Sequence, residues 1–501
     1  MSQTTRRDAP HALDSETFRA LGHRLVDTIA ARLEAIPQGK VSPGENPAQV
    51  RAALGLGGPL PEQGTDPAAL LERTAALLFE HSLFNAHPKF FGYITSSPAP
   101  LGMLGDLLAA SVNANVGGFM LSPAATEIEV ETVRWIAELI GFPTTAGGIL
   151  VSGGNMANFV PFFAARAAQP DWKIRAEGAT GPGGKRLRAY VSAETHTWIQ
   201  KAADLSGIGT DAVRWIPTGK DQKVDLKALA HAIAEDRAAG DLPFLVVGTA
   251  GSVSTGIVDD LPGIAALCKQ EKLWFHVDGA YGGFAACVPE APPELRAGIA
   301  LADSVAVDPH KWLYAPIEAG CALVRDPARL VDAFSYHPPY YHLDEATNFV
   351  DFGMQNSRGF RALKVWLQLR HVGASGYRKM IGDDIALARA LYEAVGRESE
   401  LEPMTLALSI ATFRFVPKDL RARLGEKAVL EYVNALNQAL NEKLQKGGEL
   451  FVSNAVLGGQ YVLRACIVNF RTERSDVEET PAIVVRAGRA LDAEMRAGAA
   501  V

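Results

Sequence analysis

The sequence predicts an α/β fold with a mainly parallel sheet, an N-terminal helical arm and a small C-terminal α+β domain. The main observation is a series of seven short β-rich runs, separated by helix-length connections, between residues 150 and 325. Crossovers of that length join parallel strands and cover both faces of a sheet. The other two observations are an amphipathic pattern near the start and mixed strand and helix patterns after residue 361.

The first hundred residues carry helical patterns with little core of their own. One helix has a single apolar stripe, which needs a partner to cover it. Shorter helices are predicted at 50–54, 67–82 and 101–112, around a Pro- and Gly-rich loop, and residues 1–100 are therefore assigned to an N-terminal arm. The stripe consists of Phe18, Leu21, Leu25, Ile29 and Leu33.

Residues 101–378 are assigned to a large domain that contains the sheet, and residues 379–501 to a small domain. In such sheets, ligands bind at the carboxyl ends of the strands. A long helix predicted over 361–397 crosses the boundary between the two domains, and the small domain is also predicted to contain strands at 406–416 and 461–470 and a helix at 427–446. The seven strands of the sheet are predicted at 148–152, 188–192, 213–217, 244–249, 273–277, 304–307 and 319–324.

Composition narrows the class of protein. The 501 residues are 48% hydrophobic and 21% charged, with a net charge of -7 and no basic stripe, so we expect no nucleic-acid partner. No apolar run reaches membrane-spanning length and the start is polar, so we expect neither export nor membrane insertion. The mildly acidic charge instead favours a small-molecule substrate. Cysteines without C-x-x-C spacing predict buried, reduced thiols, which fit a cytoplasmic protein. These cysteines are Cys268, Cys287, Cys321 and Cys466.

Two predicted strands end in residues that have a joint chemical use. Lys311 follows the strand at 304–307, within the segment Asp-Pro-His-Lys-Trp, and Asp278 ends the preceding strand before Gly279 and Ala280. Taken alone, the lysine could lie on the surface and the acid could cap a turn. Together they suit a lysine that forms a Schiff base with pyridoxal phosphate and a carboxylate that keeps the pyridine nitrogen protonated.

Three further strand ends supply weaker signals. Ser152-Gly-Gly-Asn155 precedes a helix, whose N-terminus could bind a phosphate, although a plain turn explains the glycines equally well. A hydroxyl cluster from Thr249 to Ser252 could line the same edge. His196 follows another strand and could stack on an aromatic cofactor, although a lone histidine there is usually structural.

The chain resembles the group II pyridoxal-phosphate decarboxylases, close to the aromatic L-amino acid decarboxylases. The resemblance rests on the segment 308–312, on His-Val-Asp-Gly-Ala-Tyr at 276–281, on the glycines at 153–154 and on Ser-Pro-Ala-Ala-Thr-Glu at 122–127. It implies fold type I and an obligate homodimer with the active site at the subunit interface. The N-terminal arm would then wrap around the second subunit.

The resemblance also implies individual roles. Lys311 would be the Schiff-base lysine, Asp278 the pyridinium partner, and Ala280 and His196 would lie on opposite faces of the cofactor ring. Asp308 stands where the family often has asparagine, and Asn155-Met156 and Val253 also depart from the family pattern. The phosphate and the nearby cofactor atoms would be held by Gly154, Asn155, Thr249, Ser252 and His310.

The reaction implied by the resemblance is decarboxylation of an L-amino acid to the amine and carbon dioxide. In the family, a loop tyrosine returns a proton to the substrate, and Tyr340 occupies that position; relatives with phenylalanine there release an aldehyde instead. Tyr340 therefore favours the amine, although it could be a loop aromatic without a catalytic role, and Tyr341 or Tyr336 could replace it. An aldehyde synthase, an aminotransferase and a non-catalytic homologue remain alternatives.

We expect an aromatic substrate: tryptophan, tyrosine, phenylalanine or dopa. Aromatic rings pack well against apolar walls, and no converging basic residue for an acidic substrate is evident in the sequence. Acidic or diamino substrates stay open as alternatives, because the pocket is built from distant segments. The substrate pocket is expected to include Phe91, Tyr93, Thr95, Ser96 and, from the second subunit, Phe119.

Overall fold

The computed structural model describes residues 9–336 and 346–499. Its N-terminal part is helical, as predicted. Asp14 caps the first helix by accepting a hydrogen bond from the Thr17 backbone N–H, and no residue of that helix is buried. The helix packs along the third one. The elements are α1 (Ser15–Ala35), α2 (Pro47–Leu54), α3 (Pro67–His81), β1 (Phe90–Phe91), α4 (Pro100–Val112) and α5 (Pro123–Ile140).

The central part alternates strands and helices and contains all seven predicted strands. Its strands are β2 (Gly147–Val151), β3 (Leu187–Ser192), β4 (Val213–Ile216), β5 (Leu242–Thr249), β6 (Trp274–Asp278), β7 (Ser304–Val307) and β8 (Gly320–Val324). Its helices are α6 (Gly154–Ala168), α7 (Ile174–Glu177), α8 (Trp198–Leu205), α9 (Leu226–Ala238), α10 (Leu261–Glu271), α11 (Pro293–Leu301), α12 (Ala328–Phe334) and α13 (Ala362–Arg397).

These seven strands form one sheet in the order β2-β8-β7-β6-β5-β3-β4. The pairs from β7 through β6, β5 and β3 to β4 are parallel, and β8 runs antiparallel to both of its neighbours. The prediction of a mainly parallel sheet is therefore confirmed. The carboxyl ends of β2, β3, β5, β6 and β7 lie at one edge, and two hydrophobic cores cover the two faces.

The C-terminal part has a second sheet, in the order β1-β11-β12-β10-β9. Its first strand comes from the N-terminal part: Phe90 and Phe91 pair in parallel with Phe451 and Val452. The sequence pattern gave no sign of this two-residue strand. The remaining elements are β9 (Leu401–Ala407), β10 (Ile410–Phe415), α14 (Lys427–Gly447), β11 (Phe451–Leu457), β12 (Gln460–Cys466) and α15 (Arg474–Ala499).

A buried ion pair joins three segments of the large domain. The side chains of Glu129 on α5 and Arg358 are both 0% exposed, and their charged groups are 2.5 Å apart. Arg358 also donates to the carbonyl oxygens of Val116 and Leu150, and the Leu150 N–H donates to Glu129. Because neither charge can reach water, each one depends on the other.

We predict that Glu129→Ala lowers the free energy of unfolding by about 3–5 kcal/mol, since it leaves the Arg358 guanidinium buried without its counter-charge. Urea unfolding followed by circular dichroism measures the change. Glu131→Ala is the control, because Glu131 pairs with Arg134 at the surface and should contribute no more than about 1 kcal/mol. Equal losses in both variants would contradict the role assigned to the buried pair.

Candidate active site

A cavity of about 370 Å³ lies at the edge of the large sheet where the parallel strands end. Residues from the ends of β2, β3, β5, β6 and β7 line it, as expected for a ligand site in an open α/β sheet. Eight of the nine predicted cofactor residues are in its lining. They are Gly154, Asn155, His196, Thr249, Asp278, Ala280, His310 and Lys311.

The lysine loop, residues 308–319 between β7 and β8, is fixed by hydrogen bonds on two sides. Buried Asp384 on α13 accepts hydrogen bonds from Trp312 Nε1 (3.0 Å) and the Tyr314 hydroxyl (2.8 Å), and burial raises the pKa of Asp384 to about 7. On the other side, the Ser96 hydroxyl donates to the His310 carbonyl oxygen at 2.8 Å. These contacts fix the backbone that carries Lys311 into the cavity.

Asp278 ends β6 between its neighbours β5 and β7, and its carboxylate is held from both sides. Trp198 Nε1 donates to Asp278 Oδ2 at 2.8 Å, and the Ala280 backbone N–H donates to Oδ1 at 3.2 Å. Only 7% of Asp278 is exposed. A buried carboxylate oriented in this way can accept a further hydrogen bond from a protonated ring nitrogen.

A hydrogen-bond chain beneath the cavity joins β6, β7 and α6. Asn158 donates to the Gly154 carbonyl oxygen, so its Oδ1 accepts from His276 Nε2 at 2.8 Å. His276 Nδ1 then accepts from the Ser304 hydroxyl, which in turn accepts from Trp274 Nε1. Burial lowers the pKa of His276 to about 4, so the ring is neutral at physiological pH. The chain fixes the two strands relative to the first turn of α6.

The first turn of α6 forms a cradle that suits a phosphate. No side chain caps the helix, and Gly153 takes a left-handed φ of 136°. A Cβ at Gly154 would lie 2.7 Å from Asp308 Oδ2, so a larger residue there would have to displace that carboxylate. Gly153 needs glycine because of its φ, and a Cβ there would also lie 3.0 Å from the His310 ring. Free helix N–H groups and the helix dipole favour an anion at this point. The residues present therefore fit the phosphate of pyridoxal phosphate.

His196 lines the cavity beside Asp278 and Lys311. The Trp198 backbone N–H donates to His196 Nδ1 at 3.2 Å, so the neutral ring carries its proton on Nε2. Although its outer edge reaches solvent, desolvation lowers the pKa of His196, Lys311 lowers it further, and Asp278 opposes both. The ring is thus favoured in the neutral form, which can stack on an aromatic group.

The structure corrects one predicted substrate contact. Phe91 lies in β1 and its side chain is fully buried in the core of the C-terminal sheet, so it cannot contact a ligand in the cavity. Its neighbour Tyr93 is 55% exposed, in a left-handed turn with φ of 49°, and its N–H donates to Ser453. Ser96 is buried and supports the lysine loop instead of lining the cavity.

The remaining predictions fall outside the cavity lining of the single chain. Ser252 is buried and bonds the Thr255 hydroxyl at 2.9 Å within its own turn, between cavity residues Gly251 and Val253. Thr95 and Phe119 are half-buried, and their predicted substrate contacts stay predictions. Tyr340, together with Tyr341, lies outside the described residues.

The sequence analysis did not identify the buried side chains that support the site residues. Trp198 donates to Asp278 and Asn158 to the Gly154 carbonyl oxygen. His276 contacts Asn158, and Asp384 contacts Trp312 in the lysine loop. All four side chains are buried. Two of them had a usable signal: Trp198 follows His196 by two residues at the start of a helix, and His276 belongs to the segment 276–281 that carries the family resemblance. The contacts of Asn158 and Asp384 depend on how α6 and α13 pack against the sheet and the lysine loop.

Comparisons with known proteins identify the family. The family model for the pyridoxal-dependent decarboxylase conserved domain matches residues 55–415, which is more than half of the chain. The aromatic-L-amino-acid decarboxylase of Bacillus atrophaeus is 32% identical over 471 residues, covering 93% of this chain and 94% of that protein. The chain therefore belongs to the pyridoxal-dependent decarboxylase family, and it is a carboxy-lyase that uses pyridoxal phosphate.

Solved structures show the same fold. The structure of Oryza sativa TDC with PLP and tryptamine superimposes with a TM-score of 0.88 at 28% identity, covering 97% of this chain and all of that one. The 4-hydroxyphenylacetaldehyde synthase of Rhodiola rosea gives a TM-score of 0.83 at 25% identity, covering 95% and 99%. The fold prediction, including the resemblance to this family, is confirmed.

We predict that Trp198→Phe weakens the affinity for pyridoxal phosphate by about tenfold or more, because the charged carboxylate of Asp278 loses the hydrogen bond that Trp198 Nε1 donates to it. Fluorescence titration of cofactor-stripped protein measures the dissociation constant. Trp172→Phe is the matched control, since Trp172 Nε1 donates to the Gly178 carbonyl oxygen away from the cavity. The same affinity in both variants would show that the Trp198 N–H does not orient Asp278.

Proposed function

We propose that the protein decarboxylates an aromatic L-amino acid to its amine, with pyridoxal phosphate linked to Lys311 in the cavity at the sheet edge. The observation that carries the proposal is the shared cavity of Lys311, the oriented Asp278 carboxylate and the glycine cradle of α6. These groups suit, respectively, the aldehyde, the ring nitrogen and the phosphate of one cofactor.

Bound pyridoxal phosphate supplies an electron sink for the electrons that remain when the carboxylate leaves as carbon dioxide. The side chains of the protein would position the cofactor ring and place a negative charge beside its nitrogen. Asp278, fixed by Trp198, would retain a proton on the cofactor nitrogen, while the small side chain of Ala280 would leave room for the ring and His196 would stack on it.

Two observations support an aromatic substrate. Relatives that span this chain nearly end to end are decarboxylases named for aromatic L-amino acids, tyrosine and tryptophan. In addition, Lys311 is the one lysine or arginine among the described residues that line the cavity, and the cofactor linkage uses it. An acidic substrate side chain would lack a cationic partner there.

A homodimer accounts for the apolar surface of the N-terminal part. The arm assigned to residues 1–100 includes α1, which has no buried residue. The adjoining helix α4, at the start of the large domain assigned to 101–378, exposes a row of aliphatic side chains, and a second copy would cover both surfaces. The small domain, 379–501, would complete each subunit. The exposed row consists of Leu104, Leu107, Leu108 and Val112.

A cytoplasmic location is supported by the cysteines. All four are free thiols, three of them buried, as in proteins of reducing compartments. No described helix combines the length and apolar character needed to cross a membrane.

An aldehyde synthase is the second candidate function. It is favoured by the structural similarity to the Rhodiola rosea synthase, which extends over 95% of this chain. The two candidates differ in their products, because the synthase consumes oxygen and releases aldehyde, peroxide and ammonia in place of the amine.

We predict that Lys311→Ala abolishes the visible absorbance of the lysine-linked cofactor and lowers turnover by at least about a thousandfold, since the cofactor loses its covalent attachment. Wild type and variant are incubated in air with separate L-amino acids: tryptophan, tyrosine, phenylalanine, dopa, glutamate and aspartate. Mass spectrometry and a peroxide assay identify the products. Turnover of glutamate or aspartate alone would contradict the aromatic assignment.

We predict that Tyr340→Phe shifts the product from amine to aldehyde with peroxide, because the hydroxyl that returns a proton to the substrate carbon is removed. Tyr341→Phe and Tyr336→Phe serve as controls, and both are expected to keep the amine as the main product. If Tyr341→Phe alone changed the product, the proton donor would be Tyr341.

A further inference from the structure

Asp308 is a buried acid directly against the reactive lysine. It follows the last residue of β7, only 1% of it is exposed, and its Oδ2 lies 3.0 Å from Lys311 Nζ. Its second oxygen, Oδ1, is buried and has no hydrogen-bond partner among the described residues. The proposed function gives this carboxylate no role.

His310 does not supply the counter-charge for Asp308. The Ala319 backbone N–H donates to His310 Nδ1 at 3.1 Å, so the neutral ring carries its proton on Nε2, which lies 3.7 Å from Asp308 Oδ2. Desolvation lowers the pKa of His310 and favours that neutral form. Among the described residues, Lys311 is therefore the cation that is paired with Asp308.

Other charged and titratable groups surround the pair from the neighbouring elements. Asp278 at the end of β6 is held by Trp198, and His196 faces both Asp278 and Lys311. Lys364 on α13 is paired with Asp106. On β8, burial raises the pKa of the Cys321 thiol, so it stays protonated. None of these groups replaces Lys311 as the partner of Asp308.

A buried carboxylate strongly favours a positive charge on the atom beside it. When Lys311 joins the cofactor aldehyde, Nζ bonds to the aldehyde carbon and the carbonyl oxygen leaves as water. The linked nitrogen can then carry one proton or none. We propose that Asp308 acts as a positioning residue that keeps this linked nitrogen protonated at neutral pH, and so keeps the adjoining carbon open to attack by the substrate amine.

The inference rests on the proposed role of Lys311 but adds a residue whose effect can be measured without substrate. The visible absorbance of the holoenzyme depends on whether the linked nitrogen carries a proton, so a pH titration of the spectrum reports the proton affinity directly. The carboxyl-to-amide change Asp308→Asn removes the charge and preserves the size of the side chain.

We predict that Asp308→Asn moves the midpoint of this spectral titration to lower pH by about one unit or more, which is a tenfold or larger loss of proton affinity. Asp384→Asn is the matched control: it removes a buried acid that holds the same loop through Trp312 and Tyr314 without facing Lys311. Its midpoint is expected to stay at the wild-type value. Asp308→Glu, which retains the charge, is expected to lie between wild type and Asp308→Asn.

Three results would overturn the inference. One is an unchanged midpoint in Asp308→Asn while the lysine-linked absorbance is present. Another is tighter cofactor binding in Asp308→Asn with a fixed midpoint, which would mean that the carboxylate only repels the phosphate. The third is an equal shift in Asp384→Asn. A visible band that survives in Lys311→Ala would instead overturn the proposed function and, with it, this inference.

Discussion

Parallel pairing of β6 with β5 and β7 is the constraint on which the active site depends. In this register Asp278 is paired with Thr249 on one side and with Ala306 on the other. Lys311 follows β7 by four residues, so its loop begins beside the carboxylate that ends β6. Because the carboxyl ends of parallel strands share one edge, residues far apart in the chain line one cavity. The hydrogen bonds from Trp198 and within the His276 chain maintain this arrangement.

Buried acids around the site are stabilised in three different ways. Glu129 is paired with a buried guanidinium, and Asp308 with the ammonium group of Lys311. Asp259 accepts two backbone hydrogen bonds, and burial still raises its pKa to about 6. Asp384 has neutral donors and a pKa of about 7. The carboxylate of Asp308 differs from the others because its partner is Lys311, the residue proposed to bind the cofactor.

The accuracy of the sequence predictions follows the range of the interactions involved. Lys311 and Asp278 were predicted because each follows or ends an apolar strand, which is a local pattern. The prediction that Phe91 contacts the substrate was wrong, because the two-residue strand that contains Phe91 pairs with β11, about 360 positions further along the chain. A strand of that length has no periodicity to detect. Ser96 was predicted to contact the substrate. It lies beside the loop that carries Lys311, and its hydroxyl donates to the His310 carbonyl oxygen of that loop.

The sequence by itself determined the class of fold, the seven strands and the cofactor, and it singled out Lys311 as the lysine proposed to bind that cofactor. Alternation of strands and helices, and chemically distinctive residues at strand ends, are properties of neighbouring residues. The tertiary structure decided which side chains support the site and which acid faces the lysine. Asp308 and Asp384 are both buried acids that contact one loop, and although Asp308 lies three residues before Lys311 in the sequence, that spacing alone does not show where either side chain points. Packing directs Asp308 toward Lys311 and Asp384 toward Trp312, because the direction of a side chain depends on every element packed around it.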